Sequence, residues 1–77
     1  MEINELIKII TKALALQEGA INEDSSSDNI MEWDSLGQLS ILNAINNHLN
    51  GEYDLTDLTD ILNVNEMLTI INEKIKV

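Results

Sequence analysis

The chain has no cysteine, no proline, no phenylalanine and no arginine, and only one histidine, one tryptophan and one tyrosine in 77 residues. Without cysteine it can form neither a disulfide nor a thiolate metal site, a usage that fits a reducing, cytoplasmic setting. Cations are nearly as scarce as aromatics: 4 lysines stand against 14 acids, for a formal net charge of −10 at pH 7. Nucleic-acid phosphates demand clustered Lys and Arg, so the composition argues against that class of partner. Long hydrophobic runs are missing too. Ile3 to Ile10 is apolar on one face only and carries Glu5 and Lys8, so neither a signal-peptide core nor a membrane insertion is expected.

The few cations are placed unevenly. Lys8 and Lys12 lie near one end, Lys74 and Lys76 near the other, and no Lys or Arg falls between Lys12 and Lys74, where twelve of the acids lie. A field of one sign accelerates encounter with oppositely charged surfaces. Partners are therefore expected to present basic docking surfaces.

Residues 1–77 read as a single domain with a modest core. Ile3, Leu6, Ile7, Ile10, Ala13 and Leu14 recur at helical spacing, which predicts a first helix from about Glu2 to about Gln17, stopped by Gly19. Ala20 to Asp34 forms a long first loop in which Asn22 to Asn29 favours turns and local caps. Ile21, Ile30, Met31 and Trp33 are expected to pin that loop to the helices. A second helix starts at Ser35, with Leu39, Leu42, Ile45 and Leu49 on one side and Ile41 flanking, and Asn50-Gly51 ends it. A short helical turn follows near Thr56 to Ile61. Asn63 then caps a last helix, with Glu66 in the reciprocal position, and Met67, Leu68, Ile70, Ile71 and Ile75 form its buried stripe. No alternating strand pattern is present. The expected fold is all-α, a four-helix bundle of three main helices, one short helix and a long first loop.

Catalytic options are few. A Ser-His-Asp site would need Ser35 beside His48, but 13 residues of one helix separate them, about 20 Å at 1.5 Å per residue. His48 suits instead the last turn of a helix, where a positive imidazole complements the dipole. Glu23, Asp24, Asp28 and Glu32 have neither the glycine nor the ligand spacing of a calcium loop. No catalytic residues and no metal ligands are assigned.

That leaves the run Glu32-Trp33-Asp34-Ser35-Leu36-Gly37-Gln38-Leu39, in which one serine stands at the start of a helix. Backbone N–H groups and the helix dipole favour a phosphate there. Two readings are open. Ser35 with Gln38 matches a capping box; alternatively Asp34 is the cap and the Ser35 hydroxyl points outward. Leu36 and Leu39 flank the serine off the centre of the apolar stripe, and Gly37 is expected to leave open backbone beside it. Trp33 reads as a loop anchor that braces the serine for presentation.

Trp33-Asp34-Ser35-Leu36, at the end of a long loop and the start of a second helix, resembles the attachment motif of acyl carrier proteins and the related peptidyl carrier domains. The likeness spans the chain in length, acidity and helix order. It implies an acyl-carrier-like fold and a non-enzymatic carrier role. Ser35 would receive 4′-phosphopantetheine from coenzyme A through a phosphopantetheinyl transferase. The arm would then carry an acyl or aminoacyl group as a thioester. Further implied partners are a loading ligase and acyltransferases, which the monomeric carrier would meet through Asp34, Leu36 and Leu39. Carriers of fatty-acid synthesis usually have an acid after Ser-Leu and more along the second helix. Here Gly37 stands after Leu36, and Gln38, Ser40, Asn43, Asn46 and Asn47 fill the polar positions. The resemblance is therefore to a carrier of a dedicated pathway. The competing expectation is a small acidic helical adaptor in which Ser35 is only a helix cap.

Overall fold

The computed structural model describes residues 1–75. Within them the chain forms three α-helices, α1 (Ile3–Ala13), α2 (Ser35–His48) and α3 (Val64–Ile75), with a single 3₁₀ turn at Thr56–Leu58. No strand occurs among the described residues, and none of their helices is long and apolar enough to cross a membrane. The all-helical expectation holds, with the fourth element reduced to that one turn.

The core follows from three apolar stripes that bury only against one another. Leu6 and Ile10 of α1, Ile41 and Ile45 of α2, and Val64, Met67 and Ile71 of α3 are fully buried, joined by Leu58 from the 3₁₀ turn and Trp33 from the loop. Helix α1 packs against both α2 and α3. His48, at the end of α2, reaches Glu5 in the first turn of α1 with Nε2 3.2 Å from Oε2. Both side chains are substantially exposed, so this pair contributes little to stability. Lys74 of α3 pairs with Asp57 of the 3₁₀ turn at 2.7 Å.

Two expectations about the helices need correction. Helix α1 ends at Ala13 rather than near Gln17. The chain turns at Ala15, in the left-handed region at φ 55°, and the Ala15 and Leu16 N–H groups donate to the Lys12 and Thr11 carbonyls. This is the double-bonded helix ending usually built on glycine, here built on alanine, so composition gives no stop signal where the stop occurs. Helix α2 ends the same way at Asn50 (φ 59°), with Gly51 N–H on Asn46 O at 2.9 Å, as expected there. A left-handed alanine is strained by about 1–2 kcal/mol. Glycine relieves that strain but costs unfolded-state entropy. Ala15→Gly is expected to stabilise the fold by roughly 0.5–1 kcal/mol, read as a higher urea midpoint at unchanged slope.

The second correction concerns the inward face of α2. Gly37, Gln38, Ile41 and Ile45 are buried, whereas Leu42 and Leu49 are half-buried and Leu39 is exposed. Ile41 is central, not flanking. Its neighbours in the buried row are a glycine and a glutamine, so hydropathy points about one turn-quarter away from the true face.

The long loop is ordered by its own polar side chains. Asn22 Oδ1 accepts from Asp24 N–H, Ser25 Oγ from Asn22 N–H, and Asn29 Oδ1 from Ser26 N–H. It is then stitched to the entry of α3. Ser27 N–H donates to Leu62 O at 2.9 Å and Val64 N–H to Ser25 O at 3.1 Å, around an isolated antiparallel bridge between Ser26 and Asn63. Asn63 caps α3 as expected, its Oδ1 accepting from Glu66 N–H at 2.9 Å. Ile21 and Trp33 pin the loop from inside, but Met31 does not: it is 90% exposed.

Asp54 starts the 3₁₀ turn. Its Oδ1 accepts from both the hydroxyl and the N–H of Thr56, and these bonds hold its carboxyl below the ordinary carboxylate range. Because the folded-state value is depressed, this contribution is fully present above the ordinary carboxylate range and is lost as the pH falls below that range and through the depressed value. In an NMR titration Asp54 is expected to titrate below the ordinary carboxylate range, and Thr56→Val to raise it part of the way back, since the N–H bond at position 56 remains.

Candidate functional site

The site is the junction of the loop and α2. Asp34 sits in extended backbone as the N-cap, and its Oδ1 accepts from Gly37 N–H at 2.8 Å. Of the two readings of this helix start, the structure takes the second: Asp34 caps, and Ser35 is the first helical residue with an exposed side chain. Gln38 plays no part in a capping box. Its side chain is buried and runs the other way.

Gln38 is the residue that sequence reasoning missed. Its Oε1 accepts from Trp33 Nε1 at 2.6 Å, and its Nε2 donates to the Leu58 carbonyl at 2.9 Å and the Ile61 carbonyl at 3.0 Å. The orientation is dictated by chemistry: an indole N–H can only donate and a carbonyl can only accept, so the amide has one way to face. One side chain of α2 thereby fixes both the loop before Ser35 and the segment after the 3₁₀ turn. Trp33, 2% exposed, anchors the loop as expected. The only earlier signal for Gln38 was its position one turn ahead of Ile41.

Gly37 also departs from the sequence-based expectation. Its backbone is not open. A Cβ there would run into the Glu32 carbonyl oxygen and meet Leu14 Cδ2 at 2.9 Å. The loop lies directly on the first turn of α2, and glycine is the residue that lets it do so.

Beside Ser35 lies an open groove of about 510 Å³, lined by Trp33, Gln38, Leu39, Leu42 and Leu62, with Asp34 and Asp60 at its margin. Leu36 (75% exposed) and Leu39 (57%) project from the same end of α2. The first-turn N–H groups of Ser35 and Leu36 have no intrahelical acceptor, as at any helix start. Ser35, Asp34, Leu36 and Leu39 are thus brought together. His48 is not: it occupies the opposite end of α2. The chain's one histidine therefore does not stand beside Ser35.

Compared with family models, with curated proteins and with solved structures, the chain matches none.

Proposed function

We propose that the chain is a carrier protein that holds an acyl or aminoacyl group on a 4′-phosphopantetheine arm attached to Ser35. The observation that carries this reading is the division of labour at the start of α2. Asp34 takes the capping role, and the serine hydroxyl is left exposed beside an apolar groove. The adaptor alternative made Ser35 the cap, and that role is filled by its neighbour.

The residues fit such a group. A phosphodiester on Ser35 Oγ would stand at the N-terminus of a 14-residue helix, within reach of unpaired N–H groups and the positive end of the dipole. The thiol that bears the cargo would come with the arm, and the chain has no cysteine of its own to compete with it. In the attachment step Ser35 Oγ forms a new P–O bond, the coenzyme A pyrophosphate bond breaks, the adenosine bisphosphate half leaves, and the serine proton is released. Base and metal belong to the transferase. On this reading the molecule adopts the carrier-type bundle, with the 3₁₀ turn as its short helix, and serves a dedicated pathway in the cytoplasm.

Intact mass tests it. Incubated with coenzyme A, Mg²⁺ and a broad-specificity phosphopantetheinyl transferase, the wild type is expected to gain one phosphopantetheine and Ser35→Ala none. Because Ser35 is not the cap, Ser35→Ala should leave stability nearly unchanged, whereas loss of a capping residue costs about 0.5–2 kcal/mol. An unchanged wild-type mass with several transferases would sink the carrier reading and leave the chain a binding module.

A further inference from the structure

A second open groove, of about 760 Å³, lies between α1 and the segment that follows it. It exists because α1 stops early. At Ala15 the chain takes the left-handed conformation, φ 55°, and the Leu16 N–H donates back to the Thr11 carbonyl. Leu16, Glu18 and Ile21 thereby come to face Ile7, Lys8 and Lys12 across one groove. Had α1 run on to Gln17, Lys12 and Leu16 would instead be neighbours on a single convex helical face. A left-handed alanine is strained, and such strain collects where a site has to be shaped.

The floor of this groove is apolar. Ile7 and Leu16 are half-buried and Ile21 is 3% exposed. Its rim is cationic, with Lys8 and Lys12 both exposed and Glu18 the one carboxylate among the lining residues. Like charges four residues apart on a helix repel, and a chain with 14 acids could have offset these two. Among the described residues, however, the ion pairs within 4.0 Å are those of His48 with Glu5 and Lys74 with Asp57. Half of the chain's 4 lysines therefore stand over an apolar floor with their charge uncommitted. The groove beside Ser35 has the opposite character, with Asp34 and Asp60 at its margin.

We infer that the α1 groove is a binding site for a soluble carboxylate on an aliphatic body, separate from the site at Ser35. The carboxylate sits between the ammonium groups of Lys8 and Lys12, and the hydrocarbon covers Ile7, Leu16 and Ile21. The volume suits a small molecule, for which pockets run to about 300–1,000 Å³, whereas a partner protein needs about 800 Å² of contact on its own side. The charge selects an anion locally, although the −10 of the whole protein attracts cations everywhere else. Binding there needs no modification of Ser35.

NMR titration of the isotope-labelled, unmodified chain with octanoate, and in parallel with octanol, tests it. Octanoate is expected to shift the N–H signals of Ile7, Thr11, Leu16 and Ile21, with Kd on the order of 1–10 mM. Octanol should bind about fivefold more weakly, since it lacks the charge that two exposed lysines can pair with. Lys8→Gln combined with Lys12→Gln should bring octanoate to the octanol value and leave octanol unchanged. Both lysines are exposed, so the double variant is expected to keep the wild-type spectrum elsewhere. Octanoate that shifts Leu39 and Leu42 instead, octanol that binds as tightly, or an octanoate affinity unchanged in the double variant overturns the inference. So does lysine-dependent binding to vesicles of phosphatidylglycerol and phosphatidylcholine in equal parts, which would make a lipid surface the ligand. Each of these outcomes leaves the reading of Ser35 untouched, because no transferase takes part.

Discussion

Gln38→Ala is expected to destabilise the protein by about 2–4 kcal/mol. The substitution strands one buried donor, Trp33 Nε1, and one acceptor, the Ile61 carbonyl, while the Leu58 carbonyl keeps its bond from the Ile61 N–H at 3.0 Å. Each group left without a partner costs about 1–3 kcal/mol, offset in part where water reaches it from the open groove. A domain of 77 residues has roughly 4–12 kcal/mol in total, at about 0.05–0.15 kcal/mol per residue, so the variant should lose a large share of its stability. Circular dichroism in urea measures it, with the midpoint dropping at a similar slope. The double-mutant cycle with Trp33→Phe isolates one arm of the network, and the pair should be clearly non-additive because they share a bond. A loss below about 1 kcal/mol would mean that water replaces the glutamine amide at little cost. Such a result would remove Gln38 from the account of how Ser35 is positioned.

The second large effect is one of sign. Glycine inside a helix normally costs about 1 kcal/mol relative to alanine, so Gly37→Ala would ordinarily stabilise. Here the added methyl meets the Glu32 carbonyl and Leu14. Backbone cannot step aside as a side-chain tip can, and overpacking of this kind costs about 1–3 kcal/mol. A net loss of up to about 2 kcal/mol is expected after the helix-propensity gain, and on the proposed carrier reading slower transferase modification of Ser35, because the loop before the serine must lift. A more stable Gly37→Ala would show that the loop does not rest on α2. The same clash excludes any larger side chain at position 37 while the loop lies where it does.

What the sequence makes legible is local. Helical spacing located all three helices, and the turn-forming Ser, Asp and Asn residues announced the loop. Asn63 could be recognised as a cap because a cap is a contact between neighbours, and its bond to the Glu66 N–H is where spacing put it. The errors share one cause: each concerns a residue whose role is fixed by something distant in the chain. Ala15 ends α1 without glycine, next to a Leu14 buried in a core that the other helices complete. Leu42 outranks Gln38 in hydropathy, yet Gln38 faces inward because partners 20 and 23 residues away receive its amide protons. Gly37 looked like an opening because the loop that fills it is brought there by tertiary structure. The site was legible in part. The choice of Ser35 and its apolar flanks came from the motif, while the assignment of the cap to Asp34 came from geometry. The groove needed the segment around Thr59 to Leu62 to be placed.

The bond between Trp33 and Gln38 has an experimental consequence. The chain's single tryptophan is buried two residues before Ser35 and held by the network that shapes the groove. The molecule therefore contains its own optical probe, with no second indole to dilute the signal. Emission from a sheltered, hydrogen-bonded indole lies to the blue of that from one in water, so lifting of the loop should appear as a red shift. On the proposed carrier reading, loading of the serine and arrival of a partner would each be open to observation in unlabelled protein, in real time, by fluorescence alone.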